Sequence, residues 1–226
     1  MQRAWYLTDT EQRGGPVARL RSTAADPSPA WLWGTGFIAA RSGQTAEART
    51  QLAELRATVS AMDPTAFMAP YAPVWIGTLQ AEIARADGDP GRALGIAGAA
   101  ADYEASLPVD FGPPLALKPA REVEAEILLE LERYAEAARA FDRQLQRTPR
   151  RVRSLLGAAT AHLRAGNGGA GIAMFETLAE VLDEADPEFE PALLTRSALE
   201  GAAAGAAGAA GGAEAPGVAG PAGLRR

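Results

Sequence analysis

A fourfold repeat of one helical layout constrains this chain more than any other feature. Each unit has an apolar helical run, a short break and a second helical run, and the units begin at Trp31, Val74, Ala120 and Val152. The breaks fall at Gly43, Gly88, Glu132 and Gly166, with spacings of 45, 44 and 34 residues. A unit of this size cannot bury its apolar face alone, so the pattern predicts helical hairpins stacked in a row.

Small residues at fixed positions support this layout. The residue five positions after each break is small, which would let the second helix approach the first: Ala48, Ala93, Ala137 and Gly171. Four positions later stand the residues expected to fill the space between helices: Leu52, Ala97, Phe141 and Phe175. The two longer spacings hold proline-rich insertions at 63–73 and 106–119, which are predicted to be loops.

The third and fourth units also match a known repeat. They contain LLELERYAEAARAFDRQLQRTPR and LLGAATAHLRAGN, and the spacing of 34 between their breaks equals the tetratricopeptide period. Over roughly 29–184 the chain resembles the tetratricopeptide repeat family, with departures at Glu132, where glycine is usual, and at Gly171, where alanine is usual. The stretch LPVDFGPPLALKPAREVEAEILLEL is similar to the C-terminal part of longer, uncharacterised bacterial tetratricopeptide repeat proteins, which implies that Met1 lies inside a larger architecture.

The resemblance implies an all-α fold, a right-handed α-α superhelix of about four hairpins. The units are expected at about 29–62, 74–107, 118–151 and 152–185, and their helix pairs at 29–42 with 45–61, 71–86 with 90–106, 119–131 with 134–147, and 150–165 with 168–184. A partial leading helix is expected within 1–28 and a closing helix within 186–200. The Ala/Gly-rich tail 201–226 has almost nothing large to bury, which predicts disorder. A compact helical bundle with one core is the alternative.

Composition excludes several classes of function. The chain has no cysteine and one histidine, His162, so disulfides and multi-histidine metal sites are excluded, and neither a metal nor a cofactor is expected. The net charge of −6 argues against nucleic-acid binding. No stretch is apolar and long enough for a signal peptide or a membrane span, which predicts a cytoplasmic protein without membrane contact. The G-x-G-x-x-G at 166–171 follows a helical run, which favours a hairpin turn over a dinucleotide site.

Candidate partner-binding residues follow from the family geometry, in which the first helix of each pair lines the concave face. That geometry places these residues inward: Trp33, Phe37, Trp75, Glu82, Arg85, Glu122, Glu126, Glu130, Arg153 and Arg164. The spacing of Glu122, Glu126 and Glu130 makes an acidic stripe on one helix face, which would suit a basic or amine-bearing partner segment. Alternatively, the stripe pairs with Arg153 and Arg164 or is a solvated face. Trp33, Phe37 and Trp75 are either exposed anchors or, in the favoured interpretation, core residues.

The second insertion adds a candidate loop site. It contains Phe111, Pro113, Pro114 and Lys118, and the prolines favour an extended path. The loop is either an internal plug, with Lys118 approaching Glu122, or a docking surface. The leading hypothesis for the chain is a non-enzymatic scaffold that binds a protein or peptide partner. The alternatives are a structural capping segment of a longer repeat protein, and a small-molecule-binding or enzymatic domain with the 108–118 loop as lid.

Overall fold

Helices account for the secondary structure of the described residues. The computed structural model describes residues 28–108 and 116–211, and within these ranges it contains no strand. Its α-helices there are α1 Pro29–Arg41, α2 Thr45–Ser60, α3 Ala72–Ala86, α4 Pro90–Ser106, α5 Ala120–Glu130, α6 Tyr134–Arg147, α7 Val152–Arg164, α8 Gly168–Val181 and α9 Glu190–Gly211. A 3₁₀ turn, Ala69–Tyr71, leads into α3. The predicted all-α class is confirmed.

The four breaks share one backbone conformation. Their φ angles are all positive, at 76° for Gly43, 82° for Gly88, 58° for Glu132 and 82° for Gly166. In each turn the following N–H donates to the carbonyl five residues earlier, as Gln44 does to Ala39 at 2.9 Å and Arg133 to Leu128 at 2.9 Å. This is the Schellman arrangement, which satisfies the last carbonyls of a helix and needs a left-handed residue. The break alignment therefore located four equivalent helix ends.

Stacking of the hairpins follows from these turns. Each turn joins two neighbouring antiparallel helices, giving the pairs α1–α2, α3–α4, α5–α6 and α7–α8. Each second helix also packs on the first helix of the next pair. The first helices contact one another in the series α1, α3, α5 and α7, and α9 packs on α7 and α8. The face formed by α1, α3, α5 and α7 is called the first-helix face below.

Small residues hold the helices close, as the sequence predicts. Ala48, Ala93, Ala137 and Gly171, the residues five positions after the breaks, are all buried. The ring of Phe141 lies so close to α7 that a Cβ atom on Gly157 would be 2.2 Å from it. Phe141 itself is fully buried, which places the predicted filling residue between α6 and α7.

The observed boundaries match the predicted ones closely in the four hairpins and differ at the end of the chain. The eight hairpin helices begin and end within three residues of the expected positions. The closing helix α9 continues to Gly211, however, so the prediction that disorder begins at residue 201 is wrong for residues 201–211. Alanine has the highest helix propensity, and a helix satisfies its own backbone hydrogen bonds without a core contact. The predicted leading helix and residues 212–226 lie outside the described residues.

Candidate functional site

The acidic stripe is the centre of an ion-pair network on the first-helix face. Glu122, on α5, is fully buried and lies 3.0 Å from Lys118 Nζ and 2.7 Å from Arg151 Nε. The hydroxyl of Ser154, on α7, also donates to Glu122. Burial alone would raise the pKa of Glu122, but the charges of Lys118 and Arg151 outweigh it and hold this pKa well below its ordinary value. Glu122 is therefore an ionised carboxylate in the interior, and the two cations balance its charge.

The next carboxylate of the stripe is bound by two cations from distant parts of the chain. Lys118 Nζ donates to Glu126 at 2.7 Å, and Arg41, from the end of α1, pairs with the other carboxylate oxygen. Burial would raise the pKa of Glu126, but Arg41 and Lys118 together lower it. The charge of Glu126 is therefore also balanced by cations of the same chain.

The network continues toward the outer end of the stripe. Arg41 Nε lies 3.4 Å from the buried Glu82, which also accepts from Arg85 Nε at 2.9 Å. Arg85 in turn pairs with Glu130, whose side chain is 51 % exposed. The network therefore contains four carboxylates, Glu82, Glu122, Glu126 and Glu130, and four cations, Arg41, Arg85, Lys118 and Arg151. These charges balance, so this face is not a strongly acidic groove.

The three aromatic candidates lie in the core. Trp33, Phe37 and Trp75 have almost no exposed surface, so their assignment as exposed partner anchors is wrong and the core alternative is correct. Trp33 stacks on Phe37 with the ring centroids 4.8 Å apart, and its indole N–H donates to Thr78 at 2.9 Å. The guanidinium of Arg41 covers the Phe37 ring at 5.1 Å from its centroid. The Phe37 ring therefore packs against two cations of the ion-pair network, Arg41 and Lys118.

The remaining candidates are separated. Arg153 lies 3.6 Å from Glu190 of α9, and Arg164 is exposed at the end of α7. Lys118 is fully buried against Glu122, the contact expected for an inward-folded plug. Phe111, Pro113 and Pro114 lie outside the described residues.

An open groove lies beside the network on the first-helix face. It has a volume of about 300 Å³ and runs between α5 and α7. Half-buried Leu129 and Leu156 form its apolar floor, with the Phe141 ring beneath Gly157. Glu130 and Arg153 stand at its charged rim. Three of the sequence-predicted residues, Glu126, Glu130 and Arg153, therefore line a groove, whereas Leu129 and Leu156 were missed because their helical spacing is also that of core residues.

The described ranges contain no group of three or more side chains suited to hold a metal ion, and none of their helices has the length and apolarity needed to cross a membrane. His162 Nε2 lies 3.1 Å from both carboxylate oxygens of Asp142, which links α7 to α6.

No protein-family model matches the chain, and no curated protein or solved structure shows significant similarity to it.

Proposed function

We propose that this chain is a non-enzymatic helical-repeat scaffold that binds a protein or peptide segment along its first-helix face. The observation that carries the proposal is the groove between α5 and α7, which has an apolar floor and a charged rim. Grooves between first helices are a common binding surface of helical repeats because neighbouring units form one continuous concave wall. The tetratricopeptide resemblance leads to the same expectation.

Curvature of the row supports this choice of face. Arg41 belongs to the first unit, yet it pairs with Glu126 of the third unit. Packed helices lie about 8–10 Å apart, so in a flat row the first and third units would be about 16–20 Å apart. A direct ion pair across that interval favours a strongly curved row with the first helices on the inner side, as in a superhelix.

The charge balance of the first-helix face limits the chemistry of the partner segment that the groove can bind. All three stripe carboxylates pair with cations of the same chain, but only Glu130 is half-exposed, so it is the stripe carboxylate nearest to a partner. The floor of the groove is apolar, so affinity comes mainly from apolar side chains, and Glu130 adds a weak preference for a nearby cation. The partner segment is therefore mainly apolar, with a basic residue at one position.

Filling the groove tests the proposal. Thr160 lines the groove and is half-buried, and its hydroxyl donates to the carbonyl four residues earlier at 2.8 Å. Thr177, on α8 of the same hairpin, makes the same hydrogen bond at 3.0 Å but lies outside the groove. We expect Thr160→Arg to abolish capture of partners from lysate of the source cell, while Thr177→Arg leaves capture unchanged. Circular dichroism checks that both variants fold. Equal capture by both folded variants would exclude this groove.

A further inference from the structure

A second groove lies on the side of the stack formed by the second helices, between α2 and α4. Two cavities of about 430 Å³ and about 490 Å³ adjoin at Ile96, which lines both, and together they make up one elongated depression. Along α3 its wall extends from Pro73 to Asp87, which corresponds to about 21 Å at the helical rise. This depression is called the α2–α4 groove, and its length suits several residues of an extended peptide.

One end of the α2–α4 groove is cationic. Arg49, Arg56 and Arg92 line it together with a single carboxylate, Asp87. Arg49 holds both oxygens of Asp87 at 2.6 and 2.7 Å, which neutralises that pair. Arg56 and Arg92 are exposed and make no ion pair with another residue of the described ranges. Two guanidinium groups therefore lie beside an apolar floor that includes Leu52 and Ile83.

The other end is apolar and lacks filling side chains. It is lined by Gly77, Gly95 and Ala99, and by Tyr103, whose side chain is 39 % exposed. A Cβ atom built on Gly95 would meet no atom within 4 Å, so the glycine leaves open space there. Glycine weakens a helix interior, yet no close contact with another described helix requires it at this position. The absence of a side chain widens the groove.

We propose that the α2–α4 groove binds a peptide segment of a partner protein in which apolar side chains are adjacent to carboxylates. The apolar side chains lie on the floor between Gly95 and Tyr103. The carboxylates accept paired hydrogen bonds from Arg56 and Arg92, an arrangement that guanidinium geometry favours. This charge complementarity selects an acidic segment over a basic one, and the site is separate from the groove on the first-helix face.

Peptide selection tests this inference with sequences that are not chosen in advance. A random twelve-residue peptide library displayed on phage is selected against the full chain, and enriched peptides are resynthesised with a fluorescent label. We expect enrichment of sequences that carry apolar residues next to Asp or Glu. Anisotropy titrations should show binding that weakens with added salt, because salt screens exposed charge pairs. Failure to enrich any peptide, or enrichment of basic peptides, overturns the proposal.

Two pairs of variants locate the binding. Arg56→Glu with Arg92→Glu should weaken binding of the enriched peptides at least tenfold. Arg139→Glu with Arg150→Glu changes the net charge equally at exposed positions outside the groove and should leave binding within about twofold.

Substitutions of glycine test the apolar end in the same way. Gly95→Leu should block the groove while favouring the α4 helix, whereas Gly201→Leu, on α9, should have no effect on binding. The same anisotropy titrations measure both variants. The proposal is overturned if the two groove variants and their two controls all bind the peptides with equal affinity. It is also overturned if each groove variant loses no more affinity than its control.

Discussion

Replacing Glu132 by glycine should stabilise the protein. Glu132 is the only non-glycine residue with a positive φ among the described residues, and the three equivalent turns have glycine at this position. A side chain in the left-handed region costs about 1–2 kcal/mol because Cβ crowds the following carbonyl. Glycine in turn loses about 0.4–1 kcal/mol more on folding, because its unfolded chain is freer. Subtracting the middle of the second energy range from the middle of the first predicts that Glu132→Gly raises the free energy of unfolding by about 0.8 kcal/mol.

Urea unfolding followed by circular dichroism measures this difference. For a protein of this size the expected gain corresponds to a rise in Tm of about 2–3 °C. Glu132→Ala is the control, because it removes the same exposed carboxylate from the end of α5 but keeps Cβ. The reciprocal variant, Gly88→Ala, should lose about 1 kcal/mol, and since a Cβ there meets no atom within 4 Å, the loss would be conformational. If Glu132→Gly is no more stable than Glu132→Ala, the left-handed turn is not present.

Three further predictions concern packing and charge. Gly157→Ala places Cβ 2.2 Å from the Phe141 ring and should cost about 2 kcal/mol in unfolding free energy, part of which the additional substitution Phe141→Leu restores. Lys118→Met removes a cation from the buried Glu122 and should lower the free energy of unfolding by about 3 kcal/mol. Adding Glu122→Gln to this variant should reduce that loss, because the buried charge is then gone. If urea unfolding shows that the losses of the two single variants simply add in the double variant, Lys118 and Glu122 are not coupled. Because the pKa values of Glu122 and Glu126 are lowered on folding, their ionisation stabilises the fold above about pH 4.5, and this contribution disappears as the pH falls through the folded-state values. The urea midpoint of the unmodified chain should therefore fall more steeply below pH 4.5 than that of Glu122→Gln.

Local constraints explain why the hairpins could be predicted from sequence. A helix that reverses within three residues needs a left-handed residue, and glycine marks that position at Gly43, Gly88 and Gly166. Close packing of two helices needs a small residue at a set distance from the turn, as at Ala48 and Ala93. Both requirements involve residues within one unit, so a single sequence contains the signal.

Contacts between distant units could not be predicted in the same way. Arg41 and Glu126 are 85 residues apart, and they meet only because the intervening unit places α1 and α5 on the same first-helix face. The burial of the aromatic residues was equally hard to predict, because a first helix packs against other helices on several sides. Trp33 and Phe37 would have the same helical spacing in the core and in a groove. Periodicity identifies a face of a helix but not the element that covers it.

The ion-pair network gives α5 a structural role that its acidic sequence conceals. Its three stripe carboxylates pair with cations from separate parts of the stack: Glu122 with Arg151, immediately before α7, Glu126 with Arg41 of α1, and Glu130 with Arg85 of α3. A buried carboxylate without its cation is strongly unfavourable, so these pairs favour one relative placement of the units over others. The groove between α5 and α7 takes its width from that placement. Changes to the stripe should therefore alter partner binding through the spacing of the helices, in addition to any direct contact that Glu130 makes with a partner.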